Sequence, residues 1–576
     1  MIKILKVFYG FLTKKRFSFI LFLVIVIVAS VTQAITPYFY KLFVDAIPKL
    51  DFLLLLKILL LYIGVRLVAL ILNALSYFLG DINLFDAAVD ARTTVFKQIQ
   101  DLDFAFHSSK STGSLISAIK RGDGAFFTLF HVIHHRILKI VISFLVMLYF
   151  FSFLDIKITI LVAVSFLFNL IIAKFVISYN IKTRKGFIRE EDKISAIVVD
   201  NMINYDTVKL FSKENWEISR LDKAFINWKK HLWRYANSFR TFDISIGLLV
   251  NLSIFLTLLL ALKQTVELEM TIGDFVLVVG FVSAFYPRLF DLVFSFRDIA
   301  KNYADIEKYF GVLDYDIQIK DPQKPVDVPG ISGEIEFKNV SFSYGERKED
   351  TVSGVDLKVR QGQSVALVGR SGSGKTTLIR LLMRFYDVDK GKITIDDIDI
   401  RDFAKANLRS FIGIVPQEPV LFNNTIGYNI GYGKKDATKE EIKAAAKMAN
   451  IDNFIEGLPK KYNTRVGERG IKLSGGQKQR LAIARMILSD PEIIIFDEAT
   501  SQLDSESERL IQEAFWKVTK NKTTIIIAHR LSTAMRADKI VVLEKGKIIE
   551  SGSHKALLEE KDSLYGYFWD LQINID

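Results

Sequence analysis

A glycine-rich segment with the pattern G-x-x-x-x-G-K-[ST] runs from Gly369 to Thr376. A strand-like run, Val365–Val368, precedes it, and a helical pattern, Leu378–Phe385, follows it. In this setting the glycines let backbone N–H groups curl around a phosphate, and the start of the next helix adds its dipole. Lys375 would reach the β- and γ-phosphates, and the Thr376 hydroxyl would ligate Mg²⁺. This context favours a phosphate site over a chance glycine-rich turn.

A second segment, Ile493–Glu498, is an apolar run that ends in two carboxylates. A buried strand that stops here would place both acids at the carboxyl edge of a sheet, beside the glycine loop. Asp497 would hold Mg²⁺, mainly through water, and Glu498 would orient and polarise the attacking water. Strands often end in acids, so the run means little alone. Together with the glycine loop it indicates hydrolysis of a nucleoside triphosphate.

The composition limits the kind of protein that can carry these residues. The chain has 576 residues, more than one hydrophobic core usually holds. It is 50% hydrophobic and 24% charged, which excludes a disordered chain. It has no cysteine, so disulfide scaffolds, thiolate zinc sites, iron–sulfur clusters and cysteine nucleophiles are excluded.

Six long apolar runs before residue 300 predict six membrane-spanning helices, because each reaches the roughly 20 residues that a bilayer requires. As buried helices of a soluble protein, they would leave too little polar surface. The first run is too long for a signal peptide and lacks a clear cleavage site. The predicted spans are Phe17–Thr36, Phe52–Leu79, Phe126–Phe153, Ile156–Ser178, Phe242–Leu262 and Ile272–Phe296.

The formal net charge is +12, and most of the excess lies in the first 320 residues. Because that part carries the apolar runs, the excess favours contact with membrane lipids rather than nucleic acid. The segments expected inside hold far more Lys and Arg than the outside loops, so the N-terminus is predicted to be cytoplasmic. Charged helical patterns over Asp86–Gln100 and Glu190–Lys213 predict that the membrane helices continue into the cytoplasm.

Proline-rich residues 321–330 predict a linker between a membrane domain, residues 1–320, and a second domain, residues 331–576. Short apolar runs alternate with helical patterns after it, as in an α/β P-loop domain. The predicted strands are Glu334–Phe342, Ser364–Val368, Glu492–Phe496, Thr523–Ala528 and Ile540–Leu543.

The segment Leu473–Gln477 reads Leu-Ser-Gly-Gly-Gln and precedes a helical pattern, Gln477–Leu488. Here the chain resembles the ATP-binding cassette (ABC) transporters, specifically exporters that fuse six membrane helices to one nucleotide-binding domain. The resemblance covers nearly the whole chain. It implies an α-helical membrane domain with long cytoplasmic extensions, followed by an α/β P-loop ABC domain. It also implies ATP and Mg²⁺ as cofactors.

The resemblance assigns roles to further residues. Tyr344 matches the aromatic that stacks on adenine, and Gln417 matches the Q-loop, which senses the γ-phosphate through Mg²⁺. His529 matches the switch histidine, which would act in catalysis with Glu498. The full expected ATP site is Tyr344, Gly369, Arg370, Ser371, Gly372, Ser373, Gly374, Lys375, Thr376, Thr377 and Gln417, with Thr376, Gln417 and Asp497 toward Mg²⁺.

In the family, the segment that corresponds to Leu473–Gln477, called the signature, acts on ATP bound to the opposite subunit. One copy therefore cannot complete its own site. The residues expected to act in this way are Leu473, Ser474, Gly475, Gly476, Gln477 and Asp504. The chain is therefore expected to pair with a second half-transporter. Intact Glu498, His529 and signature favour a homodimer. At position 502 the family more often has alanine, whereas this chain has Gln502. How the two subunits communicate at this position therefore stays open.

The expected function is ATP-driven export by alternating access across a bacterial cytoplasmic membrane. A lipid flippase of the same fold, an exporter of glutathione- or metal-type conjugates and an ATP-gated channel are the alternatives. Two segments, His107–Gly113 and Asn204–Phe211, resemble the loops that dock on the ATPase domain. The basic cluster of the third span indicates either a vestibule for an anionic substrate or inside-positive anchoring. It consists of His131, His134, His135, Arg136 and Lys139.

Overall fold

The computed structural model describes residues 2–109, 112–345, 350–467, 470, 472–497, 505–528 and 530–573. The chain divides into two compact units. Unit 1 comprises Met1–Leu102 and Lys110–Asp316, and unit 2 comprises Asp103–Ser109 and Ile317–Asp576. The short segment Asp103–Ser109 therefore belongs with the second unit although the first unit surrounds it in sequence.

Helices make up the described part of the chain before residue 312. They are α1 (Ile2–Leu12), α2 (Arg16–Ala34), α3 (Thr36–Ala46), α4 (Phe52–Asp101), α5 (Phe104–Ser109), α6 (Thr112–Phe130), α7 (Leu138–Leu154), α8 (Ile156–Ile203), α9 (Tyr205–Leu210), α10 (Glu214–Val266) and α11 (Ile272–Gly311). Six helical stretches are long and apolar enough to cross a membrane, which confirms the six predicted spans. They are Arg16–Lys49, Phe52–Asp101, Ala118–Leu154, Ile156–Ile203, Glu214–Val266 and Ile272–Asp314.

Polar side chains in the connecting loops fix where three of these helices begin. Asp51 accepts a hydrogen bond from the Leu53 N–H (2.9 Å) at the start of α4. Asp155 accepts one from the Ile158 N–H (3.2 Å) at the start of α8. Thr271 starts α11 through a reciprocal capping box. Each cap satisfies N–H groups that have no partner within the helix, so the helix boundaries follow from local sequence.

Three helices extend well beyond the length that crosses a bilayer, as the sequence predicted. Helices α4, α8 and α10 contain 50, 48 and 53 residues. At ~1.5 Å per residue each exceeds ~70 Å, whereas the hydrocarbon core of a bilayer is ~30 Å thick. The extensions of α8 and α10 pack together through an Asn180–Ser238 hydrogen bond of 2.8 Å and stacked rings of Phe187 and Tyr235.

Two irregularities interrupt the first and third spans. The first span breaks at Ile35, and α3 restarts with Pro37 in its first turn, where the missing N–H costs nothing. In the third span a π-helical segment, His131–Ile137, separates α6 from α7. The sequence predicted a first span that ends at Thr36, next to the break at Ile35, whereas it predicted one continuous helix, Phe126–Phe153, through the π-helical segment.

Unit 2 contains ten strands in its described part. They are β1 (Ile335–Phe342), β2 (Val352–Val359), β3 (Ser364–Val368), β4 (Lys390–Ile395), β5 (Ile398–Asp399), β6 (Ile412–Val415), β7 (Ile493–Asp497), β8 (Thr523–Ile527), β9 (Lys539–Glu544) and β10 (Lys547–Gly552). One sheet has the order β2-β1-β4-β5, with antiparallel pairs. The other has the order β10-β9-β3-β8-β7-β6 and is parallel from β9 to β6.

The helices of unit 2 lie mostly after the glycine loop. They are α12 (Lys375–Leu382), α13 (Lys405–Ser410), α14 (Ile426–Gly431), α15 (Lys439–Met448), α16 (Asp452–Glu456), α17 (Gly475–Ser489), α18 (Ser505–Val518), α19 (Leu531–Ala534), α20 (His554–Glu559) and α21 (Leu564–Ile573). The expected α/β fold is confirmed. The antiparallel sheet was not predicted as a separate layer, because its strands are half-exposed and lack a continuous apolar run.

The six-stranded sheet separates two hydrophobic cores. In β3, Val365 and Leu367 face one core, while Ala366 and Val368 face the other, as the two-residue period of a strand requires. The first core also contains the antiparallel sheet and α12. The second contains α14, α15, α17 and α18. Helices α12 and α17 therefore pack on opposite faces of this sheet.

Candidate nucleotide-binding site

The glycine loop joins the end of β3 to α12 and has a backbone that requires glycine. Gly372 and Gly374 have φ values of +81° and +106°, which side chains with a Cβ rarely adopt. A Cβ on Gly374 would lie 3.0 Å from the carbonyl oxygen of Thr351, and one on Gly369 would collide with the carbonyl of Leu543. No side chain caps α12, so its first N–H groups remain for an anion. The loop is therefore a cradle of the kind that phosphate fits.

Lys375 fills the concave side of this loop. Its side chain is 6% exposed, and Nζ donates to the carbonyl oxygens of Gly369 (2.7 Å) and Arg370 (3.0 Å). Burial lowers the pKa of the Lys375 ammonium, while the Asp497 carboxylate opposes this shift. An ammonium and several N–H groups directed into one small loop form a donor set for a phosphate anion.

The expected metal ligands lie at the same edge of the parallel sheet. Asp497 ends β7 and pairs in register with Ile527 of β8, which also pairs with Leu367 at the end of β3. Gln417 is exposed two residues after β6, the strand next to β7. The carboxylate, the amide and the hydroxyl of Thr376 offer the oxygen ligands that Mg²⁺ prefers. These residues therefore fit a magnesium-bound nucleotide.

Several predicted residues lie outside the described part of the chain. Glu498 directly follows β7, and His529 lies two residues after β8. Asp504 is also outside it. Since β8 lies between β3 and β7, both strands that lead to the expected catalytic residues end beside the glycine loop.

Tyr344 lies close to the start of α12. Its hydroxyl is 3.2 Å from the Thr377 hydroxyl and accepts a hydrogen bond from Arg380 (3.3 Å). The rings of Phe342 and Tyr386 meet it edge-on. The structure thus brings the aromatic expected to stack on adenine to the helix that starts at Lys375.

The signature segment starts α17. Ser474 is the N-cap: its Oγ accepts a hydrogen bond from the Gln477 N–H (3.3 Å), and the Gln477 side chain accepts one from the Ser474 N–H (2.9 Å). Ser474 and Gly475 are exposed, while Gly476 is buried. Leu473 packs against the core beneath. The structure does not bring this segment to Lys375, because α12 and α17 pack on opposite faces of the sheet.

Sequence reasoning missed the residues that dock α5 within unit 2. The Phe104 ring stacks on Phe385 at 4.8 Å, and the Arg380 guanidinium lies 5.5 Å from the Phe104 ring centre. Asp103 accepts hydrogen bonds from the backbone N–H groups of Gln318 (2.6 Å) and Ile319 (3.2 Å). The predicted docking loop, His107–Gly113, begins later than these contacts. The sequence signal that could have indicated these contacts is an aromatic residue, Phe104, directly after an acidic residue, Asp103.

Comparisons with known proteins agree with this geometry. Residues 352–501 match the family model for ABC transporters, and residues 19–288 match the model for the ABC transporter transmembrane region. The solved structure of a bacterial Atm1-family ABC exporter with ATP bound superposes with a TM-score of 0.86. It is 33% identical, and the match covers 97% of this chain and 99% of that one.

Two relatives from animals are also similar. ATP-binding cassette sub-family B member 6 of Mesocricetus auratus is 38% identical over 485 residues, which is 83% of this chain and 57% of the relative. Heavy metal tolerance factor 1 of Caenorhabditis elegans is 36% identical over 486 residues, which is 83% of this chain and 60% of the relative. The chain thus spans less than two thirds of the length of these relatives.

Proposed function

The chain belongs to the ABC transporter family, and from this premise we propose that it is an ATP hydrolase that drives export across a membrane. One observation carries the proposal: a phosphate cradle and a signature helix lie on opposite faces of one sheet, in a chain with six membrane-spanning helices. Such a chain can complete its nucleotide site only with a second chain, so ATP binding and subunit closure are coupled.

At each site, ATP lies on the glycine loop with its phosphates at Lys375 and its base at Tyr344. Thr376, Gln417 and Asp497 would hold Mg²⁺, which would neutralise charge on the phosphates. Glu498 orients and polarises the attacking water, and His529 contacts the γ-phosphate. This division of roles among the residues needs little covalent chemistry from the protein, because phosphoryl transfer depends mainly on positioning and charge.

The second half of each site comes from a partner chain, and we favour an identical one. A two-fold homodimer presents the Leu473–Gln477 segment of each chain to the ATP held by the other, forming two equal sites. Asp504 acts across the same interface. The exposed positions of Ser474 and Gly475 support this arrangement.

Closure of the ATPase units reaches the membrane helices through the short helices between the spans. The contacts of Phe104 within unit 2 support this role for α5. On α9 and just after it, Tyr205, Leu210 and Phe211 are 56%, 82% and 69% exposed. An apolar surface of this kind supports docking of α9 on the partner chain. The outcome is alternating access, with the N-terminus and the ATPase units in the cytoplasm of a bacterium.

A finer candidate is export of glutathione- or metal-type conjugates. The resemblance to Heavy metal tolerance factor 1 favours this candidate over other solutes.

The test uses the full-length chain reconstituted into liposomes. We expect ATP hydrolysis and ATP-dependent uptake of a conjugate into inside-out vesicles. Glu498→Gln should still bind ATP but keep less than about a tenth of the turnover, because the amide cannot polarise water. Turnover above that level would show that Glu498 does not polarise the attacking water. Movement of a fluorescent lipid between leaflets, with no solute uptake, would identify a flippase instead.

A further inference from the structure

The strand that leads to the expected switch histidine is followed by a short helix that its own N-cap side chain does not cap. Strand β8 ends at Ile527, and α19 begins at Leu531, two residues after His529. Arg530, the described residue at the N-cap position, makes no capping hydrogen bond. Because an arginine side chain carries only donors, it cannot accept from the N–H groups of a helix start. Helix α19 therefore needs an acceptor from another element.

Gln572 supplies this acceptor from α21. The Leu531 N–H donates a hydrogen bond to Gln572 Oε1 (2.8 Å), although the two residues are 41 positions apart. Leu531 is buried in the core that also contains α17 and α18. A buried N–H group that loses its acceptor is costly, because water does not replace the lost partner. This hydrogen bond therefore fixes the start of α19.

The helix that carries Gln572 is itself attached firmly to unit 2. At its start, Glu550 of β10 accepts hydrogen bonds from the N–H groups of Leu564 (2.5 Å) and Tyr565 (3.1 Å). The Tyr565 ring is buried, and its hydroxyl lies 2.8 Å from His554 Nδ1. Gln572 thus reaches α19 from a helix whose position is fixed by the rest of the domain.

Two other contacts hold the described residues on either side of position 529. The Ala528 N–H donates to the Leu367 carbonyl oxygen of β3 (3.1 Å). The Arg530 guanidinium forms an ion pair with Glu508 of α18 (2.5 Å), and its side chain is partly exposed. Since solvent weakens an ion pair of this kind, the buried hydrogen bond to Gln572 is the stronger restraint after position 529.

We propose that Gln572 is a positioning residue for ATP hydrolysis, which holds the start of α19 and through it the backbone at His529. This inference rests on the proposed role of His529 at the γ-phosphate. Positioning matters because a displacement of about 1 Å can cost ~10²-fold in rate. ATP affinity is expected to depend on the glycine loop and Lys375 instead. Loss of Gln572 should therefore slow turnover without weakening nucleotide binding.

The test measures kcat and KM for ATP hydrolysis by the full-length chain in nanodiscs. Gln572→Leu removes the acceptor but keeps the bulk, and it should lower kcat by about tenfold or more with KM within about twofold. Gln572→Glu keeps an acceptor oxygen at the same length and should retain at least about half of kcat. Gln572→Asn keeps the amide on a shorter side chain, so it should resemble Gln572→Leu and replaces that variant if it does not fold.

Tyr565→Phe is the matched control on the same helix. It removes the hydroxyl that contacts His554, so it should lower Tm but leave kcat unchanged. Equal losses of kcat in Tyr565→Phe and Gln572→Leu would show that any weakening of α21 slows turnover, and would overturn the positioning role. A native kcat in Gln572→Leu would overturn it as well.

A double variant tests whether Gln572 acts through His529. When Gln572→Leu is added to His529→Ala, single-turnover hydrolysis of radiolabelled ATP should fall by less than about twofold, because the residue that Gln572 positions is already absent. A further loss of about tenfold would overturn the proposal. Native turnover of His529→Ala would contradict the proposed role of His529 itself. Impaired His529→Ala together with native Gln572→Leu would overturn this inference alone.

Discussion

Two helix N-termini in unit 2 are both expected to contact phosphate, yet they differ in construction. At α12 the N-cap is Gly374, no side chain caps the helix, and Lys375 is buried behind the loop. At α17 the N-cap is Ser474, which forms a complete capping box with Gln477 on an exposed surface. The first is an open cradle. At the second, the side chains of Ser474 and Gln477 already form hydrogen bonds with backbone N–H groups of the helix start.

This difference separates two steps of the proposed cycle. A cradle with free N–H groups and a buried ammonium can hold nucleotide within a single chain. A self-capped, exposed helix start gains a phosphate contact only when another chain brings the phosphate to it. Damage at α12 should therefore abolish binding, whereas damage at α17 should spare binding and abolish closure.

The largest effect is expected from Lys375→Ala. It removes the cation that faces the phosphates, so ATP binding should weaken strongly and hydrolysis should fall by ~10²-fold or more. Binding of a fluorescent ATP analogue and steady-state ATPase rates measure both. Lys392→Ala, which changes an exposed lysine of β4, is the control. Unchanged ATPase activity would show that the glycine loop is not the phosphate site.

A comparable loss of hydrolysis with intact binding is expected from Gly476→Asp. The carboxylate would repel phosphate presented by the partner, but it lies across the sheet from the cradle of its own chain. Nucleotide affinity without closure should stay within about twofold, while trapping of ATP by the dimer should disappear. Gly457→Asp adds the same charge to an exposed position elsewhere in unit 2. If Gly476→Asp weakened ATP binding as much as Lys375→Ala, the proposed difference between the N-termini of α12 and α17 would be wrong.

A mixed dimer of these two variants sharpens the comparison further. One of its sites carries both lesions and the other carries neither, if each site uses the α12 of one chain and the α17 of the other. Isolated mixed dimers should therefore trap ATP at about half the native level, whereas both parent homodimers trap almost none. Trapping no greater than in the parents would favour sites built within single chains.

The smallest effect is expected from Ser474→Ala. Loss of the N-cap should cost about 1 kcal/mol of stability, seen as a lower Tm of the full-length chain. Thr438→Ala removes the equivalent capping box of α15 and should cost a similar amount. Only Ser474→Ala should also reduce ATP trapping, by a few-fold. Equal ATP trapping by both variants would show that Ser474 only caps α17 and does not contact the phosphate.

The sequence alone determined the family, the six spans and the α/β fold of unit 2. These features depend on local patterns: about 20 apolar residues for each span, short apolar strands, and a glycine loop between a strand and a helix. The roles of Glu498 and His529 stay predictions, since both residues lie outside the described part of the chain.

The tertiary structure decided the features that depend on residues distant in sequence. Only the strand order shows that a single strand, β8, separates β3 from Asp497 on β7, and only the two cores show that α12 and α17 occupy opposite faces. The stacking of Phe104 on Phe385 was likewise invisible in the sequence. A one-dimensional pattern records which face of an element is apolar, but not which other element covers that face.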